Sequence, residues 1–251
     1  MGVDYIWSLK ELEESRKPFW EQLFPVFREQ LPEGFFYSDK TRKVVDVGCG
    51  SGYIGRLLVK EMPCNSVEVA GVDREMKILV GAKAIAKEEN LARYIEFCRG
   101  YAYNIPFMED SVDLVLFVTL LINIEEPERA IKEAIRITKR GGYVVAIESD
   151  FTHDKAIFPD NKELSKLHWE LGEALSKAWR DRGGSPEVAP ELPSMFESLG
   201  LHNVKSIEYQ FKYSILETDE IKKELELLSL KKDSDLYVAG GMPEEDVNRY
   251  Y

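Results

Sequence analysis

Asp46-Val47-Gly48-Cys49-Gly50-Ser51-Gly52 places three glycines at alternate positions directly after a run of β-branched residues. Only glycine lets a main chain turn so tightly and lets a ligand press against the backbone. If a helix opens just beyond, its first N–H groups are free to meet that ligand. A plain strand-to-helix turn without a ligand is the alternative, and it leaves three destabilising glycines with nothing to do. Gly50, Gly52 and Gly55 also spell G-x-G-x-x-G, and Asp73 stands near the spacing of an acid that takes ribose hydroxyls. That second spelling describes a nicotinamide-dinucleotide turn. There the first glycine follows directly on the strand, whereas here Gly48 already ends it and Gly50 comes two residues late.

Such a turn works only where a strand delivers it and a helix receives it. From Lys43 to about Asp150, short apolar runs rich in β-branched residues alternate with amphipathic stretches, the pattern of a parallel βαβ sheet. The pattern predicts strands at 43–48, 67–72, 94–98, 112–118 and 142–148, with helices near 52–61, 75–89 and 127–138. Pro127 suits a first helical position, and Ala130, Ile131, Ala134, Ile135 and Ile137 follow as its apolar stripe. Repeated crossovers of this kind are right-handed and give an α/β, doubly wound sheet.

Two helices are predicted ahead of this core. Ser8 and Glu11 have capping-box spacing, and Pro18 opens a second helix bearing Phe19, Trp20, Leu23, Phe24 and Phe27. Pro25 should kink it, and Pro32-Glu33-Gly34 should end it. After Asp150 an irregular stretch leads to a helix over 161–180, stopped by Gly183-Gly184, and a short helix over 191–199. Alternation through Val204, Ile207, Tyr209 and Phe211 predicts a sixth strand, and a further helix follows Thr218.

A chain of 251 residues with a net charge of −12 is large enough for one α/β domain, and its mean field repels a polyanion. Nucleic acid is therefore a disfavoured partner. No apolar run reaches the roughly 18 residues of a membrane helix, and the first residues lack the pattern of a signal peptide, so a cytoplasmic protein with no membrane partner is expected. Cys49, Cys64 and Cys98 have neither disulfide nor zinc spacing, and no metal site is expected.

Three later segments follow the glycine turn in order: Ala70-Gly71-Val72-Asp73, then Gly100-Tyr101-Ala102-Tyr103-Asn104-Ile105-Pro106-Phe107 with Asp110-Ser111-Val112-Asp113-Leu114-Val115, then Lys139-Arg140-Gly141-Gly142. Together they resemble class I, Rossmann-like S-adenosylmethionine-dependent methyltransferases of the ubiquinone/menaquinone-biosynthesis branch. The matching features are the D-x-G-x-G-x-G turn, the acid ending the second strand, the G-D-A-x-x-L-P-F and F-D-L-V stretches, and the K-P-G-G turn. The similarity covers roughly residues 43–150, and four ordered motifs are more specific than one glycine turn.

The resemblance implies S-adenosyl-L-methionine as cofactor. It puts Asp46, Gly48, Cys49 and Gly50 at the methionine portion, Asp73 on the ribose with Arg74 beside it, Met76 in the adenine slot, and Tyr101 and Ala102 along the adenine. Phe117 and Val118, ending the fourth strand, would face the methyl group together with Thr119. Two milder readings stand beside these: Met76 as helix core and Asp73 as a helix cap. Tyr101 departs from the family, which often carries an acid beside the adenine amino group.

For the acceptor, Phe117-Val118-Thr119-Leu120 is unlike the [N/D]-P-P-[Y/F] turn of amino-methylating nucleic-acid enzymes, and no carboxylate ends the fourth strand as catechol-type metal enzymes require. Cys49 and Cys98 are in the wrong places for a pyrimidine-methylating nucleophile. A small-molecule acceptor is expected. Glu148 and Asp150, at the end of the fifth strand, are the candidates to orient or deprotonate it, or they are solvated turn residues. Trp7, Trp20 and Trp169 are core residues or walls of an acceptor pocket.

The expected architecture is one mostly parallel methyltransferase sheet. Helices over 1–42 precede a cofactor core at 43–150, a helical cover at 151–200 is inserted after the fifth strand, and 201–251 add a strand and a helix. A family sheet closes with a seventh strand; Leu236-Tyr237-Val238-Ala239 supplies it, or the edge is open and free to pair in a homodimer. A NAD(P)-dependent oxidoreductase and a non-catalytic S-adenosylmethionine-binding module are the other readings.

Overall fold

The computed structural model describes residues 9–32, 34–37, 40–62, 66–150, 162–209 and 238–250. Five strands, β1 (Arg42–Val47), β2 (Val67–Asp73), β3 (Ile95–Arg99), β4 (Val112–Val118) and β5 (Thr138–Ile147), form one parallel sheet in the order β3-β2-β1-β4-β5. Val45 of β1 lies opposite Ala70 of β2 and Val115 of β4, so β1 is central and both its faces are covered. This is why it is nearly continuously apolar instead of alternating.

The helices follow from the periodicity: α1 (Leu9–Gln30), α2 (Tyr53–Glu61), α3 (Met76–Glu88), α4 (Pro127–Ile137), α5 (Lys162–Asp181), α6 (Val188–Ser198) and α7 (Glu244–Tyr250). On one face of the sheet Val44, Val69, Leu114 and Leu116 pack with Trp20 and Phe27 of α1, Leu58 of α2 and Leu79 of α3. On the other, Val45, Val47, Val115 and Phe117 meet Ile131 and Ala134 of α4 and Val188 and Leu192 of α6. The chain builds outward from β1 to β3 and then returns to β4 on the other side of β1. In such sheets the crevice for a ligand opens beyond the carboxyl ends of the strands at that reversal.

Four details differ from expectation. Residues 9–30 form one helix, not two, and Pro18 and Pro25 lie within it. Burial of Trp20, Leu23, Phe24 and Phe27 along one stripe rewards continuity, and Pro25 is exposed, so the carbonyl it leaves unbonded can be met by water. β5 begins at Thr138, not 142: Thr138 pairs with Val112, the register shifts, and pairing resumes at Leu114 with Tyr143. Residues 204–209 are irregular, with Ile207 exposed, so the start of the predicted sixth strand is not one; Phe211 and the helix after Thr218 lie outside the described residues. Val238 and Ala239 are helical and cannot belong to a seventh strand. The segment beyond them instead packs Met242 and Val247 against Leu167, Leu171 and Ala174 of α5.

The lower end of the sheet is clamped by Asp113. Its carboxylate accepts the Lys43 N–H at 2.9 Å and the Lys139 ammonium at 3.0 Å, with the Arg42 guanidinium 3.7 Å away. Burial pushes its pKa up, but those donors and cations outweigh it and hold the group below the ordinary carboxylate value. A depressed pKa contributes stability that is present above the unfolded value, about 4, and lost as pH falls through the folded one. Asp113→Asn should therefore cost about 1–2 kcal/mol at pH 7. Urea unfolding over a falling pH series checks this: the gap between parent and variant should shrink as pH drops below about 4 and close once it passes the folded pKa.

Candidate functional site

The glycine turn sits at the carboxyl end of β1, with Gly48, Gly50 and Gly52 at φ of 73°, 53° and 74°. It is stitched to β2: Gly48 N–H and Cys49 N–H donate to the Val72 carbonyl at 2.7 and 3.1 Å, and Gly50 N–H donates to Asp73 Oδ2 at 2.9 Å. Gly52 is the N-cap of α2 and, having no side chain, cannot itself accept from the first-turn N–H groups. Gly48 also admits a neighbour, since a Cβ there would stand 2.8 Å from Leu120 Cδ1.

Asp73 ends β2 half-buried, and its other oxygen, Oδ1, accepts the Glu75 N–H at 2.9 Å ahead of α3. One carboxylate thus holds both the glycine turn and the approach to α3, whose N-cap is Glu75 and not Asp73. A carboxylate has about four acceptor positions, so two remain for hydroxyl donors. Beside it opens a cleft of about 320 Å³ lined by Arg74, Glu75, Met76, Lys77, Arg99 and Tyr101. Met76 and Tyr101 are each 51% exposed there, so Met76 is not helix core, and the two present apolar walls to the cleft. Arg99 donates from Nη2 to the Tyr101 hydroxyl at 3.4 Å and from Nε to the Arg74 carbonyl at 3.2 Å. This suits a planar heterocycle attached to a ribose, so the residues fit the adenosine portion of the expected cofactor.

The loop carrying Tyr101 and Ala102 is held from below by a pair that sequence reading did not single out. Glu133 Oε1 accepts the Ile105 N–H at 2.8 Å, and Arg136 Nη2 donates to the Ile105 and Phe107 carbonyls at 3.2 and 2.9 Å. The two side chains meet at 2.7 Å. The Arg136 hydrogen bond is the main reason the Glu133 carboxyl sits below its usual range, and the Glu133 bond correspondingly raises Arg136. Their i,i+3 spacing on α4 was visible in sequence, but it looks the same as any solvent-facing pair.

At the end of β4, Phe117 and Val118 are buried in the two core clusters, so what they can present to a ligand is main chain. Thr119 follows at φ 52°, unusual for a β-branched residue and a feature that gathers at functional sites. Glu148, just past β5, accepts the Leu120 and Leu121 N–H groups on Oε1 at 3.0 and 2.8 Å and the Ile122 N–H on Oε2 at 3.4 Å. Its carboxylate therefore fixes the turn whose Leu120 packs on Gly48. The junction between α5 and α6 adds to the same turn, Ser185 N–H and Oγ reaching the Ile122 and Ile124 carbonyls at 2.8 and 3.1 Å. Asp150 is half-exposed at the edge of the described residues.

Glu148→Gln keeps one acceptor oxygen and should stay within about 1 kcal/mol of the parent, whereas Glu148→Ala strands backbone donors at roughly 1–3 kcal/mol apiece. Thermal unfolding of both variants checks this.

Asp46 is buried beneath the turn. Burial first, then the charges of Asp46 and Asp73, push the Cys49 thiol well above its ordinary value, so it is a neutral thiol and a poor nucleophile. Trp20 is core and Trp169 is exposed; Trp7 lies outside the described residues. Among the described residues no group of His, Cys, Asp and Glu could hold a metal ion, and no helix is long and apolar enough to cross a membrane.

Residues 38–200 match the model of a methyltransferase domain family. The chain is 34% identical over 136 residues to an uncharacterized methyltransferase of Schizosaccharomyces pombe, a match covering 52% of this chain and 48% of that one, so it spans about half the length of that relative. It is 31% identical over 174 residues to the demethylmenaquinone methyltransferase of Bacillus velezensis, covering 65% of this chain and 72% of the other. A solved structure, an S-adenosylmethionine-dependent methyltransferase from Aquifex aeolicus, shares the fold at a TM-score of 0.54 and 18% identity, covering 78% of this chain and 89% of that one.

Proposed function

The chain belongs to the methyltransferase-domain family of class I S-adenosylmethionine-dependent enzymes, and from that premise we propose that it transfers the cofactor's methyl group to a small-molecule acceptor. The observation that carries the reading is Asp73, whose carboxylate joins the glycine turn to the Glu75 N–H just ahead of α3, next in the chain to Arg74–Lys77, which line the 320 Å³ cleft. Asp73 takes the ribose, Met76 and Tyr101 enclose the adenine with the Ala102 backbone alongside, and Gly48 to Gly52 meet the methionine portion.

When bound, S-adenosylmethionine supplies an electrophilic methyl on a sulfonium: one C–S bond breaks as the bond to the acceptor forms. Because the leaving group is good, alignment can supply much of the acceleration. In this chain alignment falls to the β4 turn. Glu148 sets that turn through three N–H groups and Leu120 seats it against Gly48, so Glu148 works by positioning; Asp150 remains the candidate to orient an acceptor. α5, whose end is pinned to the same turn through Ser185, is the element we assign to the acceptor side, whereas α6 packs on the sheet face beside α4. A net charge of −12 supports a small acceptor over a nucleic acid, and the named activity of the Bacillus velezensis relative points the same way. A cytoplasmic location belongs to this reading and rests on the sequence alone.

A screen with radiolabelled methyl donor over metabolite and protein extracts tests the proposal. Label should appear in the low-mass fraction. Label in protein would overturn the acceptor class, and tight S-adenosylhomocysteine binding with no transfer to anything would make the chain a non-catalytic module.

A further inference from the structure

Arg56, in α2, is 2% exposed and lies beneath the glycine turn, away from the cleft. Its guanidinium serves three segments at once. Nη1 donates to the Ser51 carbonyl at 2.6 Å, Nε to Glu89 Oε2 just past α3 at 2.9 Å, and Nη2 to Glu13 Oε2 of α1. A buried charge is a weak source of stability, because an apolar side chain of similar volume often does as well or better. What an apolar side chain cannot do is hold three acceptors in one fixed fork.

Each acceptor matters to the turn. Ser51 lies between Gly50 and Gly52, both left-handed, and its carbonyl belongs to the planar peptide whose Gly52 N–H donates to the Cys49 carbonyl at 2.8 Å. Holding that carbonyl therefore sets the last peptide of the turn. On α1, Glu13 Oε1 is buried and makes no hydrogen bond among the described residues, where the carboxylate's hydrogen bond is to Arg56. One turn earlier, Leu9 occupies the space that Gly81 of α3 leaves by having no side chain.

We propose that Arg56 is a positioning residue that couples the seating of α1, through Glu13, to the shape of the glycine turn and hence to cofactor affinity. This rests on the reading that the turn holds S-adenosylmethionine.

The test is calorimetric titration of S-adenosylhomocysteine into the full chain, with thermal unfolding alongside. Failure of the parent to bind would sink the functional reading and this inference with it. With the parent binding, Glu13→Leu, which removes the acceptor of Arg56 Nη2 and leaves Arg56 its Ser51 and Glu89 partners, should weaken binding about tenfold. Arg56→Met should weaken it at least as much. Leu23→Val, which loosens α1 in the core without touching Arg56, should lower the melting temperature yet bind within about twofold of the parent. Parent-like binding by Glu13→Leu would overturn the coupling. So would a loss in Leu23→Val equal to that in Glu13→Leu, because affinity would then follow the stability of α1 and not the clamp.

Discussion

Gly52→Ala is expected to lower stability by roughly 3 kcal/mol, enough to drop the melting temperature by about 6–12 °C. Two effects add. Gly52 has φ 74°, where a side chain costs about 1–2 kcal/mol. The added Cβ would also stand 2.5 Å from Phe97 Cζ, inside the core beneath the sheet, where overpacking costs about 1–3 kcal/mol. Gly200→Ala is the matched control: φ is 88° but nothing lies within 4 Å, so only the backbone cost of about 1–2 kcal/mol applies. Thermal unfolding of both variants separates the two effects. Equal losses would mean that the Phe97 contact does not constrain the turn.

Asp73→Ala should weaken S-adenosylhomocysteine binding about tenfold to a hundredfold, the loss of charge-assisted hydrogen bonds worth roughly 1.5–3 kcal/mol. The melting temperature should fall as well. From sequence, capping α3 and holding the ribose could be weighed as separate roles with opposite signatures. In the structure Oδ1 takes the Glu75 N–H and Oδ2 takes the Gly50 N–H, and Glu75, not Asp73, is the N-cap of α3, so one substitution removes a turn hydrogen bond ahead of the helix, worth about 1 kcal/mol, and unties the glycine turn. Asp73→Asn keeps one acceptor oxygen and should recover more stability than affinity. Binding by Asp73→Ala as tight as the parent's would show that the cofactor is placed wrongly.

What could be read in the chain were the features written in local spacing. The five strands and the three helices between them came from alternating periodicities, because a strand buried on both faces and a helix buried on one leave different apolar spacings. The glycine turn and Asp73 were legible for a related reason: left-handed backbone selects glycine, and an acid at a strand end needs only its position in the pattern. Met76 and Tyr101 were named from resemblance, and it took the cleft to show that both side chains stand on it. Where local signals competed with burial they misled. Pro18 and Pro25 read as a helix start and a kink, yet the stripe through Trp20 and Phe27 runs as one helix.

By itself, then, the sequence determined the order of the elements, the left-handed turn and the chemistry available beside it, since these depend on residues a few positions apart. Only the tertiary structure decided how distant residues share the work. Glu148 is committed to N–H groups more than 25 positions away, Glu133 and Arg136 hold the loop after β3, and Arg56 joins α1 to the turn. The strain at Thr119 is equally invisible in spacing. The reason is physical: a carboxylate or guanidinium has the same local signature on a wet surface as in a buried fork. Which of the two it becomes is set by the segments that packing brings within about 3 Å of it.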